Sequence, residues 1–377
     1  MSEQFPATPP AQPYSMPAPP EGTPGRRRRR RFPIGAVIWG LFFVVLAIGS
    51  LVPLPYVIES PGPTYNTIGT VEDKKVIQIT GHESFPAQGD LDLTTVYVSG
   101  GPGGKVTGFE LIQAFLDPSK AVYDEDQIFP KGVTKEENQK ENAQAMTSSQ
   151  ENATAAALGA LKIPFQQKLT VGGFTQNSPA EGKLKDGDVL LSIDGKPSTS
   201  MTAVRDALAA SNGNEVSVQV QRGADKPTVR FAPVKDDKDG RYLMGIGLVF
   251  SFDFPFKVQY QLDQVGGPSA GLMFTLGLID SLTPGDLTGG KHIAGTGTIT
   301  PDGQVGPIGG IAQKMHGAHS AGAGLFLAPA ANCDEVVGHI PDGLEVVKVN
   351  TVSDARTAVE TYAKGGDLAA LPHCTTG

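Results

Sequence analysis

A serine at the head of a helix and a lysine on a later one are the side chains in this sequence best suited to covalent chemistry. Val265-Gly-Gly-Pro-Ser-Ala-Gly-Leu-Met-Phe274 carries Ser269 out of a glycine-rich turn and into an apolar run. A serine hydroxyl is unreactive by itself; it needs exposure, a base, and donors that can hold an oxyanion. Gly266, Gly267 and Gly271 let backbone and substrate approach closely. A helix starting near Ala270 aims its free N–H groups and positive dipole end at the same place. These residues equally describe an ordinary N-cap serine, so the reading turns on a base. Pro307-Ile-Gly-Gly-Ile-Ala-Gln-Lys314 offers one, a glycine-rich strand end followed by a helix with Lys314 in its first turn. Lysine serves as a base only if burial makes it neutral near pH 7.

Other chemistries fit less well. Gly267-x-Ser269-x-Gly271 also matches a nucleophile elbow, for which His292, His316, His319, His339 and His373 are available. That architecture needs a parallel βαβ series before the serine, and the sequence shows none. Gly285-Asp-Leu-Thr-Gly-Gly-Lys291 imitates a phosphate loop, but His292 follows where a Mg²⁺-binding Ser or Thr is required. His316 and His319 are a lone pair at helical spacing, so no metal and no cofactor is expected.

The elements that must position Ser269 and Lys314 are legible in outline. Val76–Thr80 and Leu91–Val98 read as strands, Phe109–Phe115 as a short helix and 135–161 as a long one. A separate module follows, with strand Leu169–Phe174, strand Val189–Ile193, helix 201–210 and strand Glu215–Gln221. Tyr242–Phe250 and Val258–Leu262 read as strands leading to the serine, and Ala270–Leu282 as an apolar helix. With 47 Gly and 30 Pro among 377 residues, turns and loops are expected to be many.

Residues 1–25 are rich in Pro, Ala, Ser and Gln without apolar periodicity, the composition of a disordered tail. Arg26–Arg31 precede an uncharged, mostly apolar stretch from Ile34 to Leu54. At roughly 1.5 Å per residue that stretch spans a hydrocarbon core of about 30 Å, so a transmembrane helix is expected within 32–54. The arginines place its N-terminal side in the cytoplasm and the remainder outside. A signal peptide would be shorter and end at a small-residue cleavage site. The whole chain carries a net charge of −8 despite the arginines, so nucleic acid is not an expected partner. Cys333 and Cys374 both fall on the expected outer side, where one disulfide or two buried thiols can form.

Two resemblances organise these parts. Ser178-Pro-Ala, then Leu184-Lys-Asp-Gly-Asp188 turning into Val189–Ile193, resembles a PDZ domain over 163–235, which implies a peptide groove beside the helix at 201–210. Ile163-Pro-Phe-Gln-Gln167, where a carboxylate-binding signature would stand, departs from that pattern. Gly267-Pro-Ser-Ala-Gly271 and Pro307–Lys314, in that order, resemble the proteolytic domain of the Lon family. The layout as a whole resembles the membrane-anchored PDZ-containing Lon-like proteases. The resemblance implies an α+β catalytic unit built from 55–162 and 236–364, split by the PDZ module and followed by a tail at 365–377. It implies a Ser269–Lys314 dyad in which Ser269 attacks a peptide carbonyl and Lys314 takes its proton. Thr296 would hold the lysine by a hydrogen bond, and Gly267 and Pro268 would support the turn. Gly266 and Thr298 depart from the family by standing where many members have acidic residues. Flexible polypeptide is the implied substrate, without ATP, and a hexameric ring the implied assembly. The competing reading is a PDZ-based membrane scaffold with an inert Lon-like half.

Overall fold

The computed structural model describes residue 16 and residues 34–237, 239–262 and 265–375. Apart from residue 16, the expected tail and its arginine run lie outside the described residues. The chain divides into two units at Leu51. The first contains helix α1 (Ile34–Leu51), on which Ile38, Trp39, Leu41, Phe42, Phe43 and Val44 are all more than half exposed. Among the described residues no helix is long and apolar enough to cross a membrane. The helix expected over 32–54 stops at Leu51, because Pro53 has no amide to donate and disfavours helical backbone at Val52. Pro53–Leu54 instead pairs with Val106–Thr107.

In the second unit the chain runs through β1 (Tyr56–Asn66), β2 (Ile77–Thr80) and β3 (Asp90–Gly100) to helix α2 (Gly108–Leu116) and β4 (Ala121–Asp124). The long helix α3 (Lys135–Ala160) follows, started by a capping box between Thr134 and Glu137. Then come β5 (Gln166–Phe174), β6 (Val189–Ile193), α4 (Met201–Ser211), β7 (Val216–Gln221), β8 (Thr228–Phe231), β9 (Ile246–Asp253) and β10 (Lys257–Tyr260). The last part holds α5 (Gly271–Leu282), β11 (His292–Gly295), α6 (Ile311–Ala321), β12 (Leu325–Pro329), β13 (Glu345–Val349) and α7 (Val352–Ala363).

A six-stranded sheet in the order β13-β12-β11-β3-β1-β4 joins the two outer parts of this unit. Strand β1 is antiparallel to both neighbours, whereas β3, β11, β12 and β13 run parallel. The expected α+β arrangement is thus a mixed one, with α6 making the crossover between β11 and β12 that parallel pairing requires. Both faces of the parallel strands are covered. Ile293, Leu325, Leu327, Val347 and Val349 pack with α5 and α7 on one side. Ala294, Phe326, Ala328 and Val346 alternate with them and pack on Ile311, Met315 and Ala318 of α6. Helix α5 is apolar on most of its circumference and buried from Gly271 to Asp280, as a helix of that kind must be in a packed core.

Strands β8-β7-β6-β5-β9 form a second sheet, which with α4 encloses a separate core of Leu169, Ile193, Val218, Phe231 and neighbours. Its last strand comes from beyond residue 235, where the module was expected to end: β9 pairs with β5 from Ile246↔Phe174 to Asp253↔Gln166 and forms the outer edge. The chain then returns through β10, paired with β2. A hydrogen bond from Thr202 Oγ1 to Asp302 Oδ2, 3.0 Å, also links the first turn of α4 to the turn before Pro307.

Cys333 and Cys374 form a disulfide across a sequence separation of 41, tying the tail to the fold. Loop closure over that length contributes about 3–4 kcal/mol. Cys374→Ser is expected to lose stability of that order in a denaturant titration, and an unchanged midpoint would contradict it.

Candidate active site

Helix α3 and strand β11 hold the serine turn between them. Gly267, at φ +86°, donates its amide to the Asn142 carbonyl at 3.0 Å. Ser149 Oγ, about two turns further along the same face of α3, donates to the Pro268 carbonyl at 3.0 Å. A Cβ at Gly271 would lie 2.7 Å from Ile299 Cγ2, so only glycine lets α5 approach this closely. Ala270 is the N-cap of α5, and Ser269 stands half-buried immediately before it.

Thr296 and Lys314 complete the arrangement from the far side. The Ser269 carbonyl accepts from the Gly297 amide at 2.9 Å and from Thr296 Oγ1 at 3.1 Å. Lys314 Nζ donates to Thr296 Oγ1 at 3.2 Å. One buried hydroxyl therefore spends its proton on the serine backbone and its lone pair on the lysine. Lys314 itself is 2 % exposed, and burial lowers its pKa from 10.5 to about 8, against the opposing charge of Glu59. Its backbone reason is α6, which starts after Gly310 at φ +66° and packs Ile311 and Met315 into the core, drawing Lys314 inward between them.

Ser269 and Lys314 both line a cavity of about 480 Å³ with Glu59, Pro268, Thr298 and Pro307. Both also line a smaller one of about 260 Å³ that includes Gly266 and Tyr65. Ser269 and Lys314 thus border common space. No histidine lines either cavity, and His292 is paired with Asp92 at 2.9 Å elsewhere, which removes the nucleophile-elbow arrangement. Gly285–Lys291 leads into strand β11 rather than a helix and so has no phosphate-loop geometry.

Residues 264–360 match the family model of the Lon protease (S16) C-terminal proteolytic domain, and residues 171–222 that of a PDZ domain. The chain carries a Lon proteolytic domain and a PDZ domain. The Lon domain is that of a serine peptidase. Lon protease 1 of Sorangium cellulosum is 40% identical over 92 residues, 24% of this chain and 11% of that protein. The Lon protease of Campylobacter concisus is 32% identical over 181 residues, 45% of this chain and 22% of that protein. That of Roseiflexus castenholzii is 44% identical over 70 residues, 19% of this chain and 8% of that protein. The chain therefore spans less than a quarter of the length of these relatives.

All five residues singled out in the sequence, Ser269, Lys314, Thr296, Gly267 and Pro268, meet at the Lon domain's cavity or its supporting turn. Asn142, Ser149 and Glu59 were not foreseen. The PDZ groove lies beside the helix expected to line it, but the glycine–apolar segment is not at Ile163–Gln167. A cavity of about 550 Å³ lies between α4 and Tyr242–Leu248, lined by Val204, Leu208, Ala209, Met244, Gly245 and Ile246. Leu243-Met-Gly-Ile-Gly-Leu248 supplies the glycine–apolar signature that Ile163–Gln167 lacks.

Proposed function

We propose that the chain is an ATP-independent serine endopeptidase that cuts unfolded or flexible polypeptide at Ser269. The observation that carries this reading is a lysine that gives up its proton far more readily than a free one: Lys314 is buried, with its pKa brought down to about 8, in the cavity it shares with a half-exposed serine. Lys314 would take the Ser269 proton as Oγ adds to the peptide carbonyl, then pass it to the leaving amine; water would release the acyl group. Backbone N–H groups at the start of α5 would meet the oxyanion. Thr296 would fix the lysine, and α3 would fix the turn through Gly267 and Pro268. The full chain is expected to cleave casein without ATP; failure to cleave at any pH between 7 and 10 would overturn the peptidase reading and favour a binding scaffold.

The PDZ domain would feed the site. An extended segment adds to the open edge of β9 and sets side chains into the groove against α4. Ala209→Trp is expected to fill that groove and raise KM for long chains about ten-fold, a loss of ~1.4 kcal/mol of binding. Hydrolysis of short fluorogenic peptides should be unchanged; an equal loss for both substrates would refute delivery through the groove.

We further propose that the apolar stretch over 32–54 anchors the chain in the cell membrane as a single pass, with the N-terminus cytoplasmic and both domains outside, α1 by itself not being long and apolar enough to cross it. Supporting this are the six arginines Arg26–Arg31, the exposed apolar side chains of α1, and a disulfide suited to an oxidising compartment. Externally added protease should degrade the two domains in intact cells, and their protection would reverse the topology. The ring assembly carried over from the Lon resemblance is tested by sedimentation of the purified chain.

A further inference from the structure

Strand β1 places a carboxylate where an apolar residue would be expected. Glu59 sits between Val98 of β3 and Ala121 of β4 in the central sheet and is 7 % exposed. Its Oε2 is buried without a hydrogen-bond partner. Burying a carboxylate this way is costly, and a valine or isoleucine would suit the strand better. The carboxylate lies against the start of the lysine helix: a Cβ added to Gly310 would be 2.8 Å from Oε2. Gly310 is also the residue whose carbonyl accepts the Lys314 amide, at 3.0 Å. Glu59, Ser269 and Lys314 line one cavity.

We infer that Glu59 is a positioning residue for Lys314, its carboxylate held opposite the ammonium that forms when the lysine takes the serine proton. The inference rests on the Ser269–Lys314 reading and adds a third charge to it. As Oγ–H breaks, Nζ–H forms, the Oγ electron pair bonds to the carbonyl carbon, and that carbon's π pair moves to oxygen. A buried cation is created at Nζ at that moment, and a fixed anion in the same dry space stabilises it without reorganising. Glu59 neither gains nor loses a proton; the proton on Nζ leaves with the amine as the C–N bond breaks. The helix start against which the carboxylate lies also favours negative charge.

The surroundings fit this role. Burial is the main influence on Glu59 and raises its pKa; Lys314 lowers it and Glu335 raises it. Tyr123 of β4 is raised chiefly by burial and also by Glu59 and Glu335, so it stays neutral and does not compete as a cation partner. Strand β3 contributes only Val96 to the cavity. His316 and His319 share α6 with Lys314, but neither lines the cavity.

The test compares wild type, Glu59→Gln and Glu59→Asp on a fluorogenic peptide across pH 6 to 10. Glu59→Gln is expected to lower kcat about ten-fold with KM within two-fold, and to move the acid limb of kcat/KM down by about one pH unit, since an opposite charge within reach raises a lysine pKa. Glu59→Asp keeps the charge and should return the limb most of the way to wild type. A limb that stays in place or moves up in Glu59→Gln would overturn the inference, as would an equal displacement in Glu59→Asp. A second readout does not need cleavage: the Lys314 titration followed by ¹³C NMR on ε-labelled lysine in the Ser269→Ala chain should move down when Glu59→Gln is added. If the wild type cleaves nothing while this titration moves, the peptidase reading fails and the coupling of Glu59 to Lys314 stands. If it cleaves and the titration is unmoved, the coupling fails alone.

Discussion

Ser269→Ala is expected to lower kcat on an unfolded polypeptide by about 10⁴-fold or more while leaving the thermal transition in place. The large factor follows from covalent catalysis: without Oγ no acyl-enzyme can form, and only substrate binding and the oxyanion donors remain. The small structural effect follows from the turn. Gly267 is held by Asn142, Pro268 by Ser149, and the Ser269 carbonyl by Gly297 and Thr296, so every anchoring bond uses backbone atoms that alanine also has. Activity retained within ten-fold of wild type, with the variant folded, would exclude Ser269 as the nucleophile. Mass spectrometry after a serine-directed phosphonate gives an independent check, with the adduct on Ser269 in wild type and absent from the variant.

Lys314→Met is expected to abolish cleavage and yet raise stability by about 3 kcal/mol at pH 7. The magnitude comes from the depression of the lysine from 10.5 to about 8, at about 1.36 kcal/mol per pH unit. The unfolded chain holds this proton up to about pH 10.5, whereas the folded chain releases it near 8, so between those values folding expels a proton and stability from this group rises with pH. The penalty is therefore full below pH 8 and gone above about 10.5, and the advantage of methionine should shrink over that window. Methionine also follows the lysine stem through the core, and Thr296 keeps its bond to the Ser269 carbonyl, so no donor is stranded. Denaturant titrations at pH 7 and pH 10.5 measure both. A destabilised Lys314→Met at pH 7 would mean that the ammonium is solvated or firmly paired, which contradicts a lysine whose pKa burial has lowered.

What the sequence disclosed was chiefly local. The serine turn and the lysine helix are each contiguous motifs, so residue type and order sufficed to find them, and the alternating strands and capped helices around them followed from periodicity. What stayed hidden depends on pairing across long stretches of chain. Glu59 reads as one polar residue in a strand, and only the packing of β1 against α6 brings it to Lys314. Helix α3 reads as polar and then alanine-rich, which gives no hint that Asn142 and Ser149 clamp the nucleophile turn. The PDZ strand beside the groove comes after the helix in chain order, so a search upstream of Leu169 could not meet Met244–Leu248. The long apolar stretch near the N-terminus was read by composition alone, and Pro53 ended its helix early.

The double attachment of the PDZ domain has a consequence for where cuts fall. Strand β9 continues within a few residues into β10, which is pinned to β2, and Thr202 is bonded to Asp302 on the approach to Lys314. Under the proposed delivery, a groove fastened in this way would hold its guest at a set distance from Ser269. The pair would then act as a ruler: a chain gripped at one point would be cut a constant number of residues away, whatever side chains stand at the cut, and the fragment lengths would record the spacing between the two domains.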